Sequence, residues 1–436
     1  MLAKIRAMPL SSYWRDIAWQ ASGNSLAQLV GVLGIPILSR LYSPSDFGTQ
    51  SLFIQASVFA AGLMTLRFEY FIQLPRSERY AGALSRLVIA LGVIATLVLT
   101  PMAWVWRNEL AALLGDPKLV PWLVGVPVTS FLVSCALLTQ HWAQRWRDYR
   151  ASGVSELVGK LSYIGVGLAG ALFSFQPGGL IAATAFSALG KIAWLTTRAR
   201  LRPVQEQCFH SPTVNWRRDA TLMARVGRLY QRQSVSMVLS HILSTLTGMV
   251  PAVAIAHFYG SGVLGQYALV MATVFLPSGL IGTAIGQVYY QRAGADYARH
   301  VFLFPLWKST ATKVAIIGVP MYALIALLAP FAYPLLFGGA WGIAGDIAPI
   351  IAITAFFSFA SAPMDRTSLI VGAWWYLPLW HTARVIVVVF TTALAWLNGW
   401  SFEGYISALV AQHCVAYSID LMASFCFSKC TQARHE

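Results

Sequence analysis

Long apolar stretches of about 20 residues alternate with short polar segments along the whole chain. Each is long enough to cross a hydrocarbon core of about 30 Å as an α-helix. Because backbone groups in lipid must be satisfied within the segment, such stretches favour helices. The pattern therefore predicts an all-α polytopic membrane protein with twelve spans. They cover residues 17–40, 47–66, 87–106, 119–141, 153–174, 177–197, 234–257, 264–290, 312–336, 345–368, 374–397 and 404–427.

Charged residues are scarce and unevenly distributed. The chain is 57% hydrophobic and 11% charged, with a net charge of +15. If both termini are cytoplasmic, 25 of the 31 Lys and Arg residues fall in cytoplasmic segments, and only Arg40, Arg107 and Lys118 lie in the opposite loops. This asymmetry follows the positive-inside rule and predicts cytoplasmic termini with an even number of spans. It also explains the positive charge by membrane flanks, so nucleic acid is not an expected partner.

The longest loop, residues 198–233, divides the spans into two sets of six. We therefore expect an N-terminal lobe at residues 1–197, a basic cytoplasmic linker at 198–233 and a C-terminal lobe at 234–436. Because six is even, both lobes run through the membrane in the same direction, which predicts a parallel internal repeat. At the end of the linker, Arg225, Arg228 and Arg232 have helical spacing, which indicates a basic surface helix.

An internal similarity supports the repeat. A helical hairpin around residues 35–69 returns half a chain later, in a diverged form, from Val250 onward. Tyr42 and Gly48 correspond to Tyr259 and Gly265 with one offset of 217 residues. Internal duplication is a common feature of secondary transporters.

No set of residues forms a recognisable active site. The five cysteines lack metal-ligand spacing, Gly190-Lys191 lacks the upstream glycine of a phosphate loop, and no loop on the outer side exceeds about a dozen residues. We therefore expect a transporter without a cofactor and not an enzyme. Its energy would come from the substrate's own gradient or from an H⁺ or Na⁺ gradient.

Arg384 is the strongest candidate from composition alone, because it lies in the middle of a span. A charge at that depth costs at least about 2.5–3.5 kcal/mol, so it indicates either a cavity role or an ion pair with Asp365 or Asp420. His381 lies one turn earlier on the same face. Asp420 and Asp365 are also candidates for ion coupling.

Several other intramembrane residues have competing interpretations. Lys160 is a candidate ligand for an anion, but Glu156 at i−4 is expected to pair with it. Lys191 is another candidate, although it is close enough to the inner helix end to snorkel to the interface. Pro36, Pro251 and Pro277 are candidate hinges, with simple packing kinks as the alternative; all are read directly from the sequence.

Five segments in this order and spacing resemble the polysaccharide flippases, the O-antigen and capsule (Wzx-type) branch of the multidrug/oligosaccharidyl-lipid/polysaccharide superfamily. They are residues 35–48 (IPILSRLYSPSDFG), Arg67 with Glu69, residues 250–268, residues 276–290 and residues 337–345.

The resemblance implies two six-helix bundles around a central cavity in the bacterial inner membrane. It implies an undecaprenyl-pyrophosphate-linked oligosaccharide as substrate, with polysaccharide polymerase or assembly proteins as further partners beside membrane lipids. Arg67 would bind pyrophosphate oxygens, with Glu69 positioning it, and Arg40 would form an outer gate or a headgroup contact. For Arg67, a topogenic helix-end role remains the alternative.

Three other functions remain open at this point. A multidrug or organic-cation exporter of the same superfamily would need acidic residues for a cationic substrate, yet the intramembrane charges are mostly Lys and Arg. An O-antigen polymerase or ligase would carry a large outside loop. A peptidoglycan-precursor flippase would differ only in the glycan.

Overall fold

A computed structural model describes residues 10–200, 216–373 and 375–430. Over these ranges the chain is almost entirely helical and forms no β-strand, which confirms the expected all-α class. The helices are α1 (Leu10–Leu41), α2 (Pro44–Met64), α3 (Glu78–Val105), α4 (Arg107–Leu114), α5 (Gly125–Arg145), α6 (Tyr149–Leu172), α7 (Gly178–Arg200), α8 (Trp216–Tyr259), α9 (Ser261–Val274), α10 (Thr283–Ala298), α11 (Phe304–Phe337), α12 (Gly342–Ser361), α13 (Thr367–Ile370), α14 (Tyr376–Leu397) and α15 (Phe402–Cys430).

Nine of the described helices are long and apolar enough to cross a membrane, or ten if one bent pair counts as a single span. The chain is therefore a multi-pass membrane protein. Helices α5 and α6 occupy the predicted spans at 119–141 and 153–174 but are not among the nine. Their polar residues, among them Gln140 and His141 in α5 and Glu156 and Lys160 in α6, lower their hydropathy. The count of twelve spans stays a prediction.

The described helices group into two compact units. The first comprises the chain up to Leu38, Phe53–Ala111 and Lys118–Ile242. The second comprises Ser39–Leu52, Ala112–Pro117 and the chain from Leu243 onward. Helix α8 contributes residues to both units. Of the predicted basic linker, residues 201–215 lie outside the described ranges.

The N-terminal part of α8 belongs to the core of the first unit. Val226 is fully buried in a cluster with Phe71, Leu84 and Trp142, and Tyr230 stacks on the Phe71 ring with a centroid distance of 5.4 Å. The opposite face carries Arg225, Arg228 and Arg232, all exposed. The predicted basic helix at the end of the linker is thus confirmed, and its apolar face explains why it folds against the unit.

Within the second unit, α2 and α9 pack backbone against backbone. A Cβ atom at Gly48 would overlap the backbone of Ser261, and one at Gly265 would overlap that of Pro44. Ser45 Oγ and Ser261 Oγ are 3.1 Å apart and form a hydrogen bond across the same crossing. Small residues permit this close approach, as is common between helices in membranes.

The three candidate hinge prolines occupy different positions. Pro277 directly precedes a short π-helical turn, Ser278–Gly282, at a 41° break between α9 and α10. Pro36 lies inside α1 and Pro251 inside α8. A π-helical turn at a proline is a common site of bending, so Pro277 is the strongest of the three as a hinge candidate.

Candidate functional site

The first candidate, Arg67, follows the C-terminal end of α2. Leu66 and Arg67 both adopt the left-handed backbone conformation, with φ of 50° and 58°, and a 3₁₀ turn over Phe68–Gln73 follows. Left-handed residues other than glycine are uncommon and cluster at functional sites. This turn directs the Arg67 side chain away from the helix that precedes it.

The Arg67 guanidinium has three neighbours within the first unit. Nη1 lies 3.5 Å from Glu69 Oε1, Nη2 lies 2.5 Å from His241 Nδ1, and Cζ lies 5.1 Å from the centroid of the Tyr70 ring. The Arg67 side chain is 15% exposed, and that of Glu69 is 1% exposed. At 3.5 Å the ion pair is long for a charge-assisted hydrogen bond.

Burial raises the pKa of the Glu69 carboxyl, and the neighbouring Arg67 opposes that rise only in part. Glu69 Oε2 is buried without a hydrogen-bond partner in the described part of the chain. Since the carboxyl is disposed to be neutral, it compensates Arg67 weakly. The arginine therefore keeps positive charge available to a ligand.

The second candidate, Arg384, lies in α14 of the second unit. Its Nη2 donates to Tyr417 Oη at 3.4 Å, and its Cζ lies 5.2 Å from the Tyr417 ring centroid and 5.8 Å from that of Trp380. Nε is buried and has no hydrogen-bond partner among the described residues. The expected alternative, an ion pair with Asp365 or Asp420, does not occur within those residues.

Arg384 lines a cavity of about 250 Å³. None of the side chains around it is acidic, and hydroxyl, imidazole and aromatic groups alternate along its wall. The lining residues are Ser244, Thr247, Gly248, Pro251, Tyr267, Met271, Phe275, Ile351, Thr354, Arg384, Ile406, Leu409, Val410, His413 and Tyr417.

Asp420 is held by neutral groups. It is 4% exposed and accepts hydrogen bonds from Ser361 Oγ and from Tyr376 Oη, the latter at 2.8 Å. These two donors explain why it does not pair with Arg384. Asp365 lies in the turn between α12 and α13, where burial raises the pKa of its carboxyl to about 6.

The two intramembrane lysines do not behave as expected. Glu156 pairs with Lys191 of α7, with Nζ–Oε distances of 2.7 and 2.9 Å, and not with Lys160. Lys191 therefore does not snorkel to the interface. The prediction of a Glu156–Lys160 pair was wrong because α7 packs along α6 and presents a closer ammonium group. Lys160 forms no ion pair within the described ranges.

Arg40 binds the end of a helix. Its Nη2 donates to the Leu335 carbonyl oxygen at 2.8 Å and its Nε to that of Leu336 at 3.3 Å. These carbonyls belong to the last turn of α11, where four acceptors lack helical partners and the helix dipole is negative. The contact lies in the second unit, as does the neighbouring bond from Trp341 Nε1 to the Ser39 carbonyl oxygen at 2.9 Å.

The sequence did not single out His241, Ser234 or Gly62. His241 interrupts an apolar stretch of α8, which was the available signal. Its partner, Arg67, lies 174 residues away and so escapes any local pattern. In the described ranges, no group of three or more His, Cys, Asp and Glu side chains is arranged to hold a metal ion.

Comparison with curated proteins gives one named relative. The chain is 23% identical over 359 residues to the succinoglycan biosynthesis transport protein ExoT of Rhizobium meliloti strain 1021. The match covers 78% of this chain and 65% of the relative. The chain thus spans just under two thirds of the length of that relative.

Two solved structures are similar over most of the chain. One is an inward-facing multidrug resistance MATE family transporter of the MOP superfamily, with a TM-score of 0.62 and 16% identity, covering 93% of this chain and 96% of that one. The other is the lipid II flippase MurJ in an inward closed conformation, with a TM-score of 0.66 and 12% identity, covering 93% and 86%. These similarities show the fold of that superfamily.

A family model described as polysaccharide biosynthesis protein matches residues 37–344. This range is well over half of the chain and includes most of the segments that carried the resemblance. That resemblance is confirmed, and the chain belongs to the polysaccharide biosynthesis protein family.

Proposed function

We propose that the chain is a flippase that carries undecaprenyl-pyrophosphate-linked oligosaccharide units across the bacterial inner membrane by alternating access. The oligosaccharide would belong to an O-antigen, a capsule or an exopolysaccharide. The protein acts as a transporter and not as an enzyme, and it needs no cofactor.

The observation that carries this proposal is the Arg384 guanidinium on the wall of a polar cavity. A cation within an apolar helix is costly and is retained where it has a function. Here its Nε has no partner and no carboxylate lies in the cavity wall, over the residues that the structure describes. An anionic headgroup such as pyrophosphate supplies the missing charge. Arg67, weakly compensated by Glu69, offers a second cation in the other unit.

The relatives support the same class of substrate. The curated relative is named for succinoglycan transport, and one structural neighbour is named as a lipid II flippase. Both names describe the movement of glycans or lipid-linked glycans. A lipid tail that stays in the bilayer and a charged headgroup that crosses in a polar path fit cationic cavities between apolar helices.

The finer topology belongs to the proposal. Twelve spans would form two six-helix lobes, residues 1–197 and 234–436, as a parallel repeat with cytoplasmic termini. Described helices at each predicted span support the count, and the offset of 217 residues that relates Gly48 to Gly265 supports the repeat. The polysaccharide polymerase and assembly proteins remain proposed partners.

Ion coupling would use the buried carboxyl groups of the second unit. Asp420 is bound by two neutral hydroxyl donors, and Asp365 lies near it, so either can change its charge without breaking an ion pair to Lys. H⁺ and Na⁺ are both compatible with such a site. Lys160 and Arg40 are proposed to act outside the two principal cation sites, Lys160 as an auxiliary cation and Arg40 at the outer gate.

A multidrug or organic-cation exporter is the main alternative. Such a protein would present carboxylates to its substrate, whereas the cavity of about 250 Å³ has none in its wall. An enzyme of the polymerase or ligase class is disfavoured by the superfamily fold. Neither alternative has an observation in its favour.

The test measures transbilayer movement of a fluorescent polyprenyl-pyrophosphate oligosaccharide in proteoliposomes. Arg384→Ala and Arg67→Ala are each expected to reduce the rate severalfold, and Arg384→Lys to recover part of it. Arg107→Ala, a basic residue stacked on Trp104 outside both sites, is the control. Unchanged rates in both alanine variants would contradict the site assignments, and no movement with the natural sequence under any ion gradient would contradict the function.

A further inference from the structure

One face of α8 holds the turn that carries Arg67. Ser234 and His241 are seven residues apart, two helical turns, and so project from the same face. Ser234 Oγ donates to the Leu66 carbonyl oxygen at 2.6 Å, and His241 Nδ1 lies 2.5 Å from Arg67 Nη2. Two residues of α8 thus bind two consecutive residues of the turn.

The turn needs such support because its backbone is strained. Leu66 and Arg67 both have positive φ, and neither is glycine. Consecutive left-handed residues of this kind persist only where the surrounding structure fixes them. The hydrogen bond from Ser234 fixes the first of them through its carbonyl, and His241 fixes the second through its side chain.

The hydrogen bonds of His241 define its tautomer. Its Nε2 lies 3.1 Å from the Val58 carbonyl oxygen, which only accepts, so Nε2 carries the proton. A guanidinium only donates, so Nδ1 must accept from Arg67. The neutral ring with its proton on Nε2 satisfies both partners. A doubly protonated ring would direct an N–H group against the guanidinium.

Gly62 makes room for this ring. A Cβ atom at position 62 would overlap the imidazole of His241. Any side chain there displaces the ring from Val58 and from Arg67 together. The short distance between α2 and α8 at this point is therefore a condition of the Arg67 contact.

We propose that His241 and Ser234 are positioning residues that hold the Arg67 guanidinium in the orientation that binds the pyrophosphate of the lipid-linked substrate, with Gly62 as the space that admits His241. The inference rests on the proposed function. His241 and Glu69 occupy only part of the five-donor guanidinium, and its other N–H groups are left for phosphate oxygens. Preorganisation of this kind raises affinity because less order is lost on binding.

The test is a double-mutant cycle on substrate affinity. Binding of the fluorescent polyprenyl-pyrophosphate oligosaccharide to purified protein is measured for His241→Leu, Arg67→Ala and the double variant. His241→Leu is expected to weaken binding about five- to tenfold in the natural background and to have no further effect beside Arg67→Ala. A loss of equal size in both backgrounds would overturn the proposal, because it would indicate a general structural role.

Three further variants sharpen this test. His241→Asn keeps an acceptor near the position of Nδ1 and should bind within about twofold of the natural protein. Gly62→Ala should resemble His241→Leu although it alters neither partner. Ser234→Ala should weaken binding, whereas Ser240→Ala, an exposed serine of the same helix that bonds only its own backbone, should not. Equal effects of the two serine variants would contradict the proposal.

A substrate-free measurement separates this inference from the proposed function. In protein labelled with ¹⁵N-histidine, the His241 ring should show a protonated Nε2 and an unprotonated Nδ1, and Arg67→Ala should shift the Nδ1 resonance. A protonated Nδ1 would overturn the positioning role whatever the substrate is. If the ring behaves as expected and the lipid does not bind, the proposed function fails and the contact stands.

Discussion

Gly48 and Gly265 are equivalent positions of the internal repeat, and each faces the other's helix across the crossing of α2 and α9. Their partners Pro44 and Ser261 are related by the same offset of 217 residues. An equivalent pair on each side is what a two-fold related contact requires. The crossing thus links the duplicated sequence to a packing contact.

Gly48→Ala is expected to destabilise the protein because its new methyl group overlaps the Ser261 backbone. Overpacking of this kind costs about 1–3 kcal/mol. Gly262→Ala is the matched control, since a Cβ at this position of α9 meets nothing within 4 Å. Thermal unfolding in detergent should show a lower midpoint for Gly48→Ala alone. Equal midpoints for the two variants would argue against the close crossing.

Arg40→Gln should weaken the contact between the α1–α2 hairpin and the last turn of α11. The side chain is exposed, so a loss of less than about 1 kcal/mol is expected. Arg40→Lys should recover only part of it, because an ammonium cannot reproduce the fork that binds Leu335 and Leu336. Unfolding midpoints of the three proteins check this order, and full recovery by lysine would refute the fork.

Exchanging the charges of Glu156 and Lys191 tests the corrected ion pair. Lys191→Ala should lower the free energy of unfolding by about 1–3 kcal/mol, since it leaves a largely buried carboxylate unpaired. Lys160→Ala should have a smaller effect. The double variant Glu156→Lys/Lys191→Glu should recover part of the loss. If Lys160→Ala proved the more damaging change, the assignment of the pair to α7 would be wrong.

Asp365 should make stability fall as pH rises. Burial raises the pKa of its carboxyl from 3.8 to about 6, so the folded protein binds more protons than the unfolded chain between these values. Stability is then highest below about pH 4 and is lost as pH rises through about 6. Asp365→Asn removes this loss, which is at most roughly 3 kcal/mol.

The check compares unfolding midpoints of the natural protein and Asp365→Asn at two pH values. The variant should gain more relative to the natural protein at pH 7.5 than at pH 4.5. Glu403→Gln, in the first turn of α15, is a carboxyl control for which we expect no such difference. A gain that does not depend on pH would contradict the raised pKa of Asp365.

Much of the fold could be predicted from the sequence because the signal is local. Hydropathy over about 20 residues locates a membrane helix whatever it packs against. Every predicted span coincides with a described helix for this reason. The polar content of α5 and α6 shows the limit of the method, since helices that face protein need not be apolar all round.

The partners of the site could be predicted far less well. Arg384 was identified because an isolated charge in an apolar span is conspicuous by itself. The exchange of Lys160 for Lys191 as the partner of Glu156, and the role of His241, depend on which helix faces turn toward each other. Side-chain spacing fixes a face of one helix but not its neighbour, so residues 35 or 174 positions apart could not be paired.

The most direct test of the central claim compares two cargoes in the same proteoliposomes. One is a fluorescent polyprenyl-pyrophosphate oligosaccharide, and the other is a fluorescent organic cation of the kind that drug exporters carry. The proposed function predicts transbilayer movement of the lipid under an imposed H⁺ or Na⁺ gradient, a severalfold loss in Arg384→Ala, and no movement of the cation. Movement of the cation together with a stationary lipid would contradict it.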